Sequence, residues 1–120
     1  MQITKTSLMN LLTTPSTAHT GSLDDWQKQV IGRALSALFQ RQTRDERTTN
    51  TTNQHNNIGF AGCDAKAGSF AAKSYMKRGT LLDFQHTKWM AVGASGFPRI
   101  VKYHKQLNEI AQEKVAAHAA

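Results

Sequence analysis

The clearest hydrophobic pattern in the chain lies between residues 22 and 47. Apolar side chains recur there every three or four residues, which is the period of an amphipathic helix. Ser22 stands where an N-terminal cap is expected, and Asp25 three residues later completes a capping-box pattern. We therefore predict a helix from residue 23 to about residue 46. Its apolar stripe comprises Leu23, Trp26, Val30, Ile31, Ala34, Leu35 and Leu38.

Three further helices follow from the same kind of pattern. The second should begin near Asp64, which suits an N-cap, and end at Gly79, which suits a left-handed C-terminal position. Thr80 and Asp83 form another capping-box pattern for the third, and Pro98 suits the first position of the last helix. No convincing alternating pattern predicts a strand. The expected fold class is therefore mostly α, a small single-domain bundle of about four helices.

The apolar positions also predict the buried faces of these helices. The face of the second helix is expected to contain Ala65, Ser69 or Phe70, Ala72 or Lys73, and Met76. The apolar side of the third is expected to contain Leu81, Phe84, Lys88 and Trp89, with Leu82 and Gln85. For the last helix, the inward positions are Ile100, Tyr103 or His104, Leu107, Ile110 or Ala111, and Val115.

The chain has 120 residues, which suits one domain. We expect residues 1–21 to form a flexible N-terminal arm and residues 22–118 to form a single helical domain. Residues 48–57 are rich in Thr and Asn and have no apolar side chain, so they are expected to form a polar loop. No apolar run approaches the roughly 20 residues that span a bilayer, and no signal peptide is recognisable. With a single cysteine, the chain is expected to be cytoplasmic.

The stretch NNIGFAGCDAKAGS, residues 56–69, holds three glycines, one acid and the only cysteine. A P-loop requires a lysine after its second glycine, and a dinucleotide fingerprint or a GxxG clamp requires neighbouring strands, so these sites are not supported. Free amides at the following helix start could bind a phosphate, but the Asp64 carboxylate would compete for them. We favour a docking turn in which Phe60 is buried and Asp64 caps the helix.

No set of side chains matches a catalytic or metal-binding arrangement. Cys63 has no evident base, so we interpret it as a small buried side chain. The five histidines include no pair at i and i+4 of the kind that binds zinc on a helix. Nothing in the spacing supports a metal site made of Asp64, Asp83 and His104. We therefore expect no enzymatic activity, no catalytic residue, no metal and no cofactor.

The net charge of +7 is concentrated in one part of the chain. Residues 61–105 carry eight basic and two acidic side chains, whereas residues 106–120 carry one basic and two acidic ones. Such a bias is typical of a protein that binds a polyanion, either nucleic acid or an acidic protein surface. The candidate binding residues are Lys73, Lys77, Arg78, Lys88, Arg99, Lys102 and Lys105.

Three aromatic rings, those of Tyr75, Trp89 and Tyr103, lie among these cations in the sequence. Rings can stack on unpaired bases while lysine and arginine bind phosphates. In the alternative, the rings belong to the core and the cations form only a solvated face, as is usual on amphipathic helices. The sequence leaves both interpretations open.

Four phrases follow one another along the chain: RQTRDER, NNIGFAGCDAKAGSFAAK, GTLLDFQHTKWM and RIVKYHKQL. Their order resembles a small module of phage, prophage and plasmid proteins with the pattern RQT..E, N.VGF...DA..GS..A, L...Q and KYH.QL. This module occurs beside helicase and recombination proteins of mobile elements. The resemblance covers approximately residues 34–107 and departs from the module at Cys63 and within IGFAG. It implies a mobile-element protein and supplies no catalytic residues.

These observations predict a non-enzymatic accessory protein of a phage or mobile element that binds DNA or RNA through a basic helical face. The alternative hypothesis is a phage-encoded inhibitor or adaptor, of the anti-CRISPR or anti-restriction type, that binds a host defence or nucleic-acid-processing complex. A small nuclease is a third hypothesis. The expected location is the cytoplasm of the host cell.

Overall fold

The computed structural model describes residues 3–49, 60, 64–94 and 96–119. These residues form α1 (Lys5–Thr13), α2 (Leu23–Thr49), α3 (Ala65–Arg78), α4 (Asp83–Met90), a 3₁₀ helix (Arg99–Tyr103) and α5 (His104–Ala119). Within this part of the chain, the extended pairing consists of an isolated bridge between Val92 and Pro98. The predicted mostly α fold of a small helical bundle is therefore confirmed.

The helices surround one core that draws on every element. The long helix α2 supplies four buried apolar side chains, and α1, α3 and the segment after residue 80 pack around them. The buried apolar residues are Leu8, Leu12, Ile31, Ala34, Leu35, Leu38, Phe60, Ala71, Ala72, Leu81, Trp89, Ile100, Val101, Tyr103 and Leu107. Arg41 on α2 also binds Glu109 on α5, with Nη2 2.6 Å from Oε2.

Close approach between α2 and α3 depends on glycine. A Cβ atom at Gly32 of α2 would lie 2.1 Å from Cδ1 of Tyr75 on α3, which is far inside contact distance. A Cβ atom at Gly68 of α3 would likewise lie 2.6 Å from the ring of Phe60. Both glycines therefore provide space for an aromatic ring, and this close packing offsets their low helix propensity.

Several apolar side chains that the periodicity placed in the core are exposed instead: Leu23, Phe70, Met76, Phe84 and Val115. On α3 the physical reason is size. The buried positions of α3 are the small residues Gly68, Ala71 and Ala72, which allow close packing, whereas Phe70 and Met76 are 59% and 45% exposed. Phe60 and Trp89 are buried, as predicted, and of the alternatives Tyr103 and His104 it is Tyr103 that is buried.

The N-terminal segment is not a flexible arm over residues 5–13, because these residues form α1. Thr4 caps the helix in a reciprocal box with Ser7, a variant with serine in place of the usual Glu or Gln. Leu8 and Leu12 are buried in the core. The carbonyl oxygens of Leu11 and Leu12 accept hydrogen bonds from the side chains of Trp26 and Gln27 on α2. These bonds satisfy the end of α1, where backbone carbonyls lack helical partners.

Other helix boundaries agree with the sequence to within a few residues. Ser22 Oγ accepts a bond from the Asp25 amide at 3.1 Å, as the capping pattern predicts. Gly79 is left-handed, with φ of 80°, and ends α3. The third predicted helix starts later, at Asp83, because Gln85 rather than Asp83 supplies the capping side chain.

Two further boundaries differ from the expected ones. Pro98 precedes a 3₁₀ turn, where a continuous α-helix was expected. The predicted polar loop begins later than residue 48, because α2 continues to Thr49. The rest of that loop, with His55, and Cys63 lie outside the described residues.

We expect Gly32→Ala to destabilise the protein although alanine favours helices. Crowding against Tyr75 should cost about 1–3 kcal/mol, of which the better helix propensity returns about 1 kcal/mol. Chemical denaturation should therefore show a net loss of up to about 2 kcal/mol in the free energy of unfolding. Gly93→Ala is the matched control, because a Cβ atom at Gly93 meets nothing within 4 Å. In a Tyr75→Ala background, Gly32→Ala should instead be stabilising; a loss of equal size there would contradict the packing explanation.

Candidate nucleic-acid interface

Asp64 is a fully buried carboxylate that joins the start of α3 to the 3₁₀ helix. Its side chain has 0% exposure. One carboxylate oxygen accepts a hydrogen bond from Nη1 of Arg99. The other accepts bonds from Nζ of Lys102 and from the hydroxyl of Tyr103, both at 2.6 Å. A buried carboxylate requires such compensation, because removing an unpaired charge from water costs many kcal/mol.

These contacts correct the expectation that the Asp64 side chain caps α3. Asp64 does occupy the residue before the helix, but its side chain makes no capping hydrogen bond. Burial alone raises the pKa of Asp64. The hydrogen bonds from Lys102 and Tyr103, the charge of Lys102 and the bond from Arg99 together outweigh burial, so that the net pKa lies below its ordinary value. The carboxylate is therefore ionised in the folded protein at neutral pH.

The rings of Phe60, Trp89 and Tyr103 form one aromatic cluster next to Asp64. Their centroids are 5.9 to 6.3 Å apart, and the rings of Phe60 and Tyr103 meet edge to face. Trp89 is 1% exposed and Tyr103 4%. Base stacking on these two rings is therefore ruled out in this fold, because both are occupied in the core. Of the three rings considered in the sequence, Tyr75 alone is partly exposed, and it packs over Gly32.

The outer face of α3 carries a narrow stripe formed by Lys66, Phe70, Lys73 and Lys77, here called the α3 stripe. At about 100° per residue, these positions span only about 60° of the helix circumference. They lie opposite Gly68, Ala71 and Ala72, which face the core. All four side chains are exposed. An exposed aromatic ring between lysines combines the two groups that bind single-stranded nucleic acid.

The predicted cations fall into separate groups. Arg99 and Lys102 converge on Asp64, whereas Lys73, Lys77 and Arg78 lie in the second half of α3. Lys77 is about 20 Å from Asp64 along the helix, from the rise per residue. Lys73 also places its ammonium 5.5 Å from the centroid of the Phe39 ring on α2.

The remaining two predicted cations belong to other helices. Lys88 is exposed in the last turn of α4, and Lys105 is exposed at the start of α5. The structure therefore has several separate basic areas. In the α3 stripe the cations lie along one line of a single helix.

Two residues of this stripe were absent from the sequence-predicted site. Lys66 is not among the predicted binding residues, and Phe70 is predicted, as an alternative to Ser69, on the buried face of the helix. Phe70 and Lys66 lie three and seven residues before Lys73, which is a helical spacing and a visible signal in the sequence. It was ambiguous because an apolar ring at helical spacing is usually buried.

The acidic and imidazole groups considered for a metal site do not meet. Asp64 is occupied by its three donors, Asp83 binds Lys28 at 2.5 Å, and His104 Nδ1 lies 3.2 Å from the carbonyl oxygen of Val101. In the described part of the chain, no group of three or more His, Cys, Asp and Glu side chains could hold a metal ion. Across the same residues, none of the helices has the length and apolar character needed to cross a membrane.

Comparison of the chain with protein-family models, curated proteins and solved structures gives no match. The resemblance to a phage and plasmid module therefore stays a prediction.

We expect Asp64→Asn to lower the free energy of unfolding by about 2–4 kcal/mol at pH 7, because three donors lose a charged acceptor. The folded pKa is lowered, so this contribution is fully present above the unfolded pKa of about 3.9 and is lost as the pH falls through the folded pKa. Urea denaturation at pH 7 and at pH 3 should therefore show a difference between parent and variant that shrinks in acid. The control Asp83→Asn removes an exposed carboxylate and should change stability much less. A difference that is independent of pH would refute an ionised Asp64.

Proposed function

We propose that this chain is a nucleic-acid-binding accessory protein of a phage or other mobile element, and that the α3 stripe contacts single-stranded DNA or RNA. The observation that carries the proposal is the exposed ring of Phe70 between lysines on one line of α3. The mobile-element setting rests on the resemblance of residues 34–107, and the proposed role needs no catalytic residue.

The chemistry of binding follows from the two kinds of side chain in the stripe. Lys66, Lys73 and Lys77 would neutralise successive phosphates and release their counterions. Phe70 is 59% exposed, so a large part of this residue is open to contact with an unpaired base. A duplex hides its base faces, so the ring should contribute to single strands and little to duplexes.

The other predicted cations have a secondary part in this proposal. The charges of Arg99 and Lys102 are partly compensated by Asp64, which reduces the field they project. Arg78, Lys88 and Lys105 are exposed and would add general attraction for a polyanion. None of them is placed beside an exposed ring by the contacts described above, so they should contribute charge without a preference for unpaired bases.

The first prediction concerns the ring. Phe70→Ala should weaken the binding of a short labelled single strand by about 1–3 kcal/mol, or roughly 5- to 150-fold, because one stacked base is lost. Fluorescence anisotropy titrations at fixed salt measure this change. Phe84→Ala is the matched control, since Phe84 is 62% exposed but lies on α4 outside the stripe. Equal losses in the two variants would reject Phe70 as a specific contact.

The second prediction concerns the phosphates. Affinity for a single strand should fall steeply between about 50 and 200 mM salt, and Lys77→Gln should reduce the slope of log K against log salt by about 0.7. Lys114→Gln removes the same charge from an exposed position on α5 and should leave the slope unchanged. A protein that binds neither DNA nor RNA at about 50 mM salt is incompatible with the proposal. Such a result would favour the hypothesis of an inhibitor or adaptor that binds a host protein complex.

A further inference from the structure

A pocket of about 410 Å³ opens between the loop after α4 and the 3₁₀ helix. Its volume falls within the range of small-molecule sites. The loop is closed by the bridge between Val92 and Pro98, and the amide of Arg99 donates to the carbonyl oxygen of Ala91 at 3.0 Å. Gly96, with φ of 80°, allows the tight turn between these residues.

The lining of this pocket has a charged part and an apolar part. Arg99 and Lys102 supply a guanidinium and an ammonium group, and Val92, Phe97 and Pro98 supply apolar surface. Lys5 of α1 places its ammonium 5.9 Å from the centroid of the Phe97 ring, so a third cation lies near the apolar part.

Asp64 holds the two lining cations in place without removing them from the surface. The side chain of Arg99 is 39% exposed and that of Lys102 is 45% exposed, although both bind the buried carboxylate. The guanidinium of Arg99 has five N–H donors, which is more than its bond to Asp64 uses, and the ammonium of Lys102 adds a second positive charge. The two cations and the single carboxylate give this part of the lining a net positive charge that suits an anionic group.

We propose that this pocket binds a phosphate monoester attached to a nucleoside, with the phosphate on Arg99 and Lys102 and the sugar or base against Val92 and Phe97. The same chemistry occurs in a free nucleoside monophosphate and in the 5′-phosphorylated end of a strand. For the strand end, the inference rests on the proposed function. For the free nucleotide, the inference does not depend on the proposed function.

The experiment uses three pairs of probes with the full chain. A short single strand is compared with and without a 5′-phosphate by anisotropy competition, and thymidine 5′-monophosphate is compared with thymidine by chemical-shift perturbation of backbone amides. Inorganic phosphate and sulfate, titrated in the same way, test whether the nucleoside part contributes.

We expect the 5′-phosphate to lower the Kd of the strand about tenfold, which is the effect expected of one charge-assisted hydrogen bond. The decisive variant is Val92→Asp, which brings a negative charge to the pocket at a side chain that is 61% exposed and outside the Asp64 cluster. This variant should abolish the preference. Val115→Asp is the matched control at 62% exposure on α5 and should retain it.

Arg99→Gln should abolish the preference for the 5′-phosphate, as Val92→Asp does. Its unfolding curve shows how much of the lost binding results from a smaller folded fraction. Val92→Asp keeps the test valid if Arg99→Gln is unstable.

The outcomes distinguish a free nucleotide from a strand end as the ligand of the pocket. They also distinguish failure of this inference from failure of the proposed function. A preference for the 5′-phosphorylated strand without binding of thymidine 5′-monophosphate assigns the pocket to strand ends. Binding of the mononucleotide, lost in Val92→Asp, supports the pocket even when no strand binds, and in that case only the proposed function fails. The inference is overturned if neither the strand pair nor the nucleotide pair shows tighter binding of its phosphorylated member. It is also overturned by a preference that survives in Val92→Asp, or by inorganic phosphate binding as tightly as the nucleotide.

Discussion

The buried carboxylate of Asp64 is the constraint on which the arrangement of the second half of the molecule depends. A charge without exposed surface is tolerated only where several donors reach it, and here all three donors come from residues 99–103. The first residue before α3 must therefore lie against the 3₁₀ helix. The hydroxyl of Tyr103 reaches the carboxylate, while its ring packs against Phe60 and Trp89. The same side chain thus joins the polar cluster to the aromatic core.

This constraint also determines which charges are presented to solvent. By binding Asp64, Arg99 and Lys102 give up part of their positive field but gain a fixed position at the mouth of a pocket. The basic side chains of α3 have no carboxylate partner on their own helix, because Ala65–Arg78 contains four basic residues and no acidic one. The described residues therefore include a pocket lined by two cations and a separate basic stripe, and in the proposals above each would contact a different part of a nucleic-acid ligand.

The hydrophobic period predicts the helices well, because a helix depends mostly on local spacing and caps. It predicts α2, the span of α3 and the left-handed end at Gly79. It predicts only part of the buried side of α3: Ala65 and Ala72 pack in or against the core, whereas Phe70 and Met76 are exposed. The close contact of Gly32 with Tyr75 across two helices, which fixes how α3 packs, leaves no periodic signal. The hydrophobic period also does not reveal that Asp64 binds side chains that lie at least 35 positions later in the chain. It does not reveal that the side chains of Trp26 and Gln27 donate hydrogen bonds to the end of α1. Such long-range pairs leave no periodic signal, and an aspartate before a helix is more often a cap.

The α3 stripe contains two features that the stability of the fold does not explain. Lys77 and Arg78 lie in the last turn, where the helix dipole favours positive charge, so that their presence has a structural reason. Lys66 lies in the first turn, where the dipole disfavours a cation, and the carboxylate that would compensate it there is turned inward to the 3₁₀ helix. Phe70 leaves a large apolar ring in water on the same line of the helix. Residues that oppose local stability are expected where a protein binds something, and these two are a cation and a ring at adjacent positions of the stripe. The pairing supports a ligand with charge and flat apolar faces at short intervals, which describes a single strand of nucleic acid better than an acidic protein surface.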